Sequence, residues 1–190
     1  GKSKLYNTKT GKLAAESNIK DRKIEGVSRE YYPSGKLLSE VTFKDDKEVG
    51  VLKGYYENGK LQGEIPYNNG VIEGIVKVYY ENGKVQYETK FVNGKREGIE
   101  KGYSKTGVLV SVVPYKNGEA NGLAKFYNEQ TGKLEREIPH KDGKIEGIEK
   151  IYDENGKLIG TITFENNQIM EEVTYKDGKI IDQKVYPLGK

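Results

Sequence analysis

The sequence predicts an all-β protein, an elongated, twisted, single-sheet antiparallel meander of tandem β-hairpin repeats. Three observations carry that prediction. One glycine recurs at Gly11, Gly35, Gly59, Gly83, Gly107, Gly132 and Gly156, which sets a 24-residue period over about seven copies. A second turn recurs in phase with it, at Asp45-Asp46, Asn69-Gly70, Asn93-Gly94, Asn117-Gly118, Asp142-Gly143 and Asn166-Asn167. The segments between turns are too short for helices and rich in Val, Ile, Tyr and Thr, residues that suit a pleated, half-buried surface.

Taken in chain order, residues 1–26 form an N-terminal repeat, 27–163 the regular 24-residue repeats and 164–190 shortened C-terminal capping hairpins, all within one array spanning 1–190. Tyr6 to Gly11 and Tyr127 to Gly132 each carry one residue more than Tyr55 to Gly59. A loop absorbs such an insertion without disturbing strand register. In the regular copies the Asn-Gly pairs predict two-residue type I′ turns, whose two central residues both need positive φ. Around Asn58-Gly59 that rule sets Tyr56 opposite Leu61, Gly54 opposite Gly63, Lys53 opposite Glu64 and Leu52 opposite Ile65. Around Asn69-Gly70 it sets Tyr67 opposite Ile72, Ile65 opposite Gly74, Gly63 opposite Val76 and Leu61 opposite Val78. The last segment departs from the period, because Phe164, Tyr175 and Tyr186 stand 11 apart, as expected of an atypical terminal repeat. A closed barrel or a β-helix is the alternative architecture, and hairpin turns argue against the β-helix.

Alternation assigns the faces. One face carries Leu61, Gly63, Ile65, Tyr67, Ile72, Val76, Val78 and Tyr80; the other carries Gln62, Glu64, Glu73, Ile75, Lys77 and Tyr79. The second face is the more regular down the repeats. Tyr31, Tyr55, Tyr79, Tyr103, Tyr127 and Tyr152 form one column, with Arg29, Lys53, Lys77, Lys101, Lys125 and Lys150 beside it. Glu16, Glu40, Glu64, Glu88 and Glu137 lie across from the basic column. The Tyr and Lys columns are the candidate binding or ladder surface.

Composition narrows the chemistry. Hydrophobic residues make up 34% of the chain, too few for a thick two-layer core. The 32 Lys and Arg against 29 Asp and Glu give a net charge of +3, and the signs alternate, which argues against nucleic acid as a partner. With no Cys there is neither a disulfide framework nor a thiolate metal site. The single His, His140, stands in the column filled elsewhere by Phe43, Tyr67, Phe91, Tyr115 and Phe164, which suits packing. The carboxylates recur at repeat spacing as ladder members, so no catalytic residue, cofactor or metal is expected and the chain reads as a non-enzyme. No apolar run approaches the roughly 18 residues of a membrane-spanning helix. The absence of Met before Gly1 and the Tyr-, Lys- and Asn-rich composition favour an exported or cell-surface protein over a cytoplasmic one.

The segments Y-Y-E-N-G-K-L…Y-N-N-G-V-I-E-G, from Tyr55 to Gly74 and again in variant form from Tyr79 to Gly98, resemble the variant bacterial class of the MORN repeat. The resemblance covers nearly the whole chain. It implies tandem β-hairpins in an extended sheet, and it brings no catalytic residues because the repeat has none. It also implies a range of roles: antitoxin-like partners of toxins, surface-exposed proteins and scaffolds that touch membranes. A non-enzymatic scaffold that binds a protein partner is the first expectation. Lipid head-group or carbohydrate binding at a membrane or cell surface is the alternative, and an exposed apolar face adds homodimerisation as a further one.

Overall fold

The computed structural model describes residues 1–187, and the chain separates into two compact units, Gly1–Lys95 and Arg96–Lys190. Every regular element among the described residues is a β-strand. In the first unit these are β1 Lys2–Tyr6, β2 Leu13–Lys20, β3 Lys23–Ile24, β4 Gly26–Tyr31, β5 Leu37–Lys44, β6 Lys47–Tyr55, β7 Leu61–Asn68, β8 Val71–Ile72, β9 Gly74–Tyr79 and β10 Val85–Val92. After β11 Lys95–Arg96, the second unit holds β12 Gly98–Tyr103, β13 Leu109–Lys116, β14 Glu119–Ala120, β15 Gly122–Tyr127, β16 Leu134–Lys141 and β17 Lys144–Ile145. It ends with β18 Gly147–Tyr152, β19 Leu158–Glu165, β20 Gln168–Lys176 and β21 Lys179–Val185.

Each unit is an open antiparallel meander of hairpins, as the turn spacing predicts. Strands pair with their neighbours along the chain: β4 with β5, β5 with β6 and β6 with β7 in the first unit, β15 with β16 and β18 with β19 in the second. The antiparallel pairing leaves no place for the coils of a β-helix.

The register agrees with expectation along the middle of β6 and β7, where Gly54 faces Gly63, Lys53 faces Glu64 and Leu52 faces Ile65. It departs at the end next to the turn. Tyr55, not Tyr56, faces Leu61. The reason is the turn: Gly59 donates to the Tyr56 carbonyl (2.8 Å), Tyr56 donates to the Lys60 carbonyl (2.8 Å), and Gly59 takes positive φ (+85°) without Asn58 doing so. This is a type I turn closed by a left-handed glycine, which adds a residue relative to a type I′ turn and shifts the pairing by one. Asn69-Gly70, in contrast, does form the predicted turn with both residues left-handed (+52° and +81°), and Tyr67 faces Ile72.

Beyond that turn the predicted pairs Ile65–Gly74, Gly63–Val76 and Leu61–Val78 give way to Glu64–Lys77 and Gly63–Val78. Two residues bulge out around Gly74, whose φ of +118° lets the Glu73 amide reach the Pro66 carbonyl (3.0 Å). Side chains alternate with a period of two, so a two-residue shift leaves each on its expected face. Val76 is accordingly 8% exposed and its neighbour Ile75 is 54% exposed.

The extra residues at Tyr6–Gly11 and Tyr127–Gly132 are absorbed in the loops, where Gly11 and Gly132 donate to Asn7 and Asn128 four residues back (2.8 Å each). The core is thin, with Val41, Val76, Ala124 and Val173 as the buried hydrophobic residues among those described.

Candidate functional site

The Tyr, Lys and Glu columns come together as the sequence pairs them. Tyr31 donates its hydroxyl to Glu16 (3.0 Å), Tyr79 to Glu64 (2.6 Å) and Tyr152 to Glu137 (2.5 Å). A phenol hydrogen-bonded to a carboxylate loses its proton reluctantly, so Tyr79 and Tyr152 are each pushed up to about 12, with partial burial adding to the effect. For Tyr31 burial is the larger cause and the Glu16 bond the second, again upward. Glu16 is drawn below the usual carboxylate range by the Tyr31 hydroxyl. Arg29 bonds Glu40 through Nε (2.6 Å) and reaches Glu16 at 3.5 Å. Tyr55, Tyr103 and Tyr127 occupy the same column, each half-buried. The column is therefore held in part by bonds within the sheet. His140 is half-buried opposite Gly122 and Ile145, with Nδ1 3.1 Å from the Ile138 carbonyl oxygen.

The basic column divides in two. In the first unit Lys53 lies between Glu40 and Glu64, and Lys77 between Glu64 and Glu88, with Lys77 Nζ 3.9 Å from Glu88. In the second, Val112 takes the acidic position beside Lys101 and Lys125, and Thr161 takes it beside Lys150. Glu137 is the carboxylate left in that row, opposite Lys125 and Lys150, and it accepts the Tyr152 hydroxyl. Among the described residues no carboxylate lies within 4.0 Å of the Lys101, Lys125 or Lys150 ammonium.

Two features escape sequence reading. The first is a strut between successive turns. The Glu of each E-G pair accepts the amide of the next hairpin turn: Glu25 from Asp45 (2.9 Å), Glu73 from Asn93 (2.7 Å), Glu97 from Asn117 (2.9 Å) and Glu146 from Asn166 (2.7 Å). Its only sequence signal is the constant distance of 20 residues between the partners.

The second is an apolar row on the Tyr–Lys face. Position by position it runs Ile99, Pro114, Leu123, Pro139 and Ile148 in the second unit, because Ile99 faces Pro114, Leu123 faces Pro139, and Gly122 and Gly147 lie against the two proline rings. Ile99, Leu123 and Ile148 are 48%, 43% and 52% exposed. In the first unit Val51 faces Pro66, but Ile75 faces Lys90 and the row is broken.

Comparison with known proteins agrees with this architecture. A search of curated proteins gives no match. Among solved structures, a chain of the crystal structure of TcdB2-TccC3-Cdc42 aligns with 11% identity and a TM-score of 0.25, covering 94% of this chain and 12% of that one. A likeness of that size carries no argument. The family model described as the MORN repeat variant matches residues 24–45, 48–69, 72–93, 96–117 and 145–166, more than half of the chain. This protein belongs to the MORN repeat variant family.

Proposed function

We propose that the chain is a non-enzymatic repeat scaffold that binds a protein partner on its Tyr–Lys face. The observation that carries this reading is the row of aliphatic side chains standing in solvent between fixed charged columns, Leu123 and Ile148 above all. A sheet this thin gains by burying every aliphatic residue it has, and exposed apolar rows rimmed by polar groups mark interaction surfaces. Carboxylates of the repeat columns, by contrast, are engaged in holding the sheet: Glu64 and Glu137 bond Tyr hydroxyls, and Glu73 and Glu146 bond turn amides. Such groups serve structure, not acid–base chemistry on a substrate.

A photo-crosslinking residue placed at Leu123 tests this. A discrete protein adduct is expected that saturates and is competed away by excess unlabelled chain. No competable adduct, together with salt-sensitive flotation on anionic vesicles, would overturn it in favour of lipid head groups, the second reading, which Lys101, Lys125 and Lys150, with no carboxylate within 4.0 Å among the described residues, favour.

A further inference from the structure

Resting on that scaffold reading, we infer that the second unit docks an acidic amphipathic helix of a partner protein, laid across the strands along the row Ile99–Leu123–Ile148. Three features of the surface converge on this occupant.

The first is shape. The apolar row is narrow, one residue wide except at β13, where Val112 stands beside Pro114, and it runs across strands β12, β13, β15, β16 and β18. Neighbouring strands lie about 4.8 Å apart, so Ile99, Leu123 and Ile148 recur about every 9.6 Å along the row. A helix rises about 10.5 Å in seven residues, and its apolar positions alternate at three and four residues, about 5 Å apart. One helical seam therefore keeps step with both the aliphatic residues and the prolines between them over this length. A bilayer matches this shape poorly, since it favours a broad apolar surface over a narrow row.

The second is charge. Lys101, Lys125 and Lys150 line one side of the row at the same repeat spacing; Val112 and Thr161 hold two of the three acidic positions among them, and the third, Glu137, lies between Lys125 and Lys150 and accepts the Tyr152 hydroxyl. On the other side, alternation puts Lys116 and Lys141 on the same face as Pro114 and Pro139, both exposed, with Glu119 opposite Lys116 and Lys144 opposite Lys141. An apolar seam bracketed by lysines is complementary to a helix with leucine-like residues on one line and carboxylates on both flanks.

The third is the contrast with the first unit. There Arg29, Lys53 and Lys77 alternate with Glu16, Glu40, Glu64 and Glu88, and Lys90 and Thr42 interrupt the apolar row. The same fold thus carries a neutralised face in one unit and a cationic, apolar one in the other.

The test uses the intact chain and two fluorescently labelled helical peptides of about 14 residues, each with Leu on one seam, one flanked by Glu and the other by Lys. Fluorescence anisotropy is expected to show saturable binding of the Glu peptide and none of the Lys peptide. Lys125→Glu and Leu123→Asp are each expected to weaken binding at least about tenfold, whereas Ile75→Asp in the first unit leaves it unchanged. Lys150→Gln and Ile148→Ser replace the first two if thermal melts show either to be misfolded. The inference is overturned if the Glu peptide does not bind, if binding survives both substitutions, or if Ile75→Asp abolishes it equally. It is also overturned if vesicles of phosphatidylserine and phosphatidylcholine bind through Lys125 and Leu123 while the peptide does not. A competable protein crosslink at Leu123 with no Glu-peptide binding would sink this inference and leave the scaffold reading standing; loss of both would sink both.

Discussion

The two units share a backbone plan and differ in how their hairpins are tied. In the first, the residue after the column tyrosine is itself Tyr, and it reaches forward: Tyr32 donates to the Tyr55 carbonyl (2.7 Å) and Tyr56 to the Tyr79 carbonyl (2.5 Å). In the second, that position holds Ser104, Asn128 and Asp153, and each caps its own turn. Ser104 accepts from the Val108 amide, Asn128 from Gln130 and Thr131, and Asp153 from Asn155 and Lys157. The inward column follows suit in part, with Ser28, Leu52 and Val76 in the first unit against Glu100, Ala124 and Glu149 in the second. Glu149 is 1% exposed and held by Arg136, whose Nε lies 2.6 Å from its carboxylate. The lesson is that this repeat tolerates polar groups in its thinnest layer when each has a local partner.

The sharpest way to break the comparison is at the bulge glycines. A methyl group at Gly122 would sit 2.9 Å from the Pro114 ring at a φ of +117°, whereas one at Gly50 meets nothing within 4 Å at +79°. Gly122→Ala is expected to cost about 3 kcal/mol and Gly50→Ala about 1 kcal/mol, from the left-handed backbone alone in the second case and with overpacking added in the first. Chemical denaturation of the two variants reads the difference, and equal losses would refute it.

Arg136→Met comes next. It leaves the Glu149 carboxylate buried without its partner, at a cost of about 2 kcal/mol, less than for a fully buried pair because Arg136 is half in solvent. Adding Glu149→Val, which copies Val76, is expected to restore stability. A double variant no more stable than the single would show that the pair does more than neutralise itself.

Smaller effects sharpen the contrast in tying. Tyr56→Phe removes one inter-hairpin bond and is expected to cost about 1 kcal/mol, with faster amide exchange in neighbouring strands on both sides of the bond. Asn128→Ala should cost a similar or lesser amount, with faster exchange confined to the 128–133 turn.

The smallest effect is alkaline. Tyr79 and Tyr152 lose their protons near 12 in the fold and near 10 when unfolded. Their bonds therefore stabilise fully below about pH 10, and that contribution is lost as pH rises through about 12. Absorbance titration should show a late-titrating class of tyrosines that Tyr152→Phe reduces. Titration of all tyrosines near 10 would contradict it.

Strand positions and faces were legible because turn chemistry and alternation are local: Asn69-Gly70 sets its own geometry, and Val76 and Ile75 part to opposite faces whatever lies beyond. The bulges at Tyr55 and Gly74 were not, because an Asn-Gly pair is compatible with two turn types, and a glycine in a strand does not announce how many residues it displaces. The Tyr79–Glu64 and Tyr152–Glu137 bonds follow from columns visible in the sequence. The row Ile99–Pro114–Leu123–Pro139–Ile148 was hidden because its members alternate between the two strand types of the repeat, and no single column contains them.

The glutamate struts give the array a direction. Glu73 reaches forward to Asn93, and Glu146 to Asn166; each of the four strutted turns takes its carboxylate from the hairpin before it. Shortening the chain from its C-terminal side leaves each remaining strutted turn supplied, while a cut from the N-terminal side that removes Glu25, Glu73, Glu97 or Glu146 strips the turn that it serves. A chain synthesised from its N-terminus thus holds the carboxylate for each strutted turn before that turn is made.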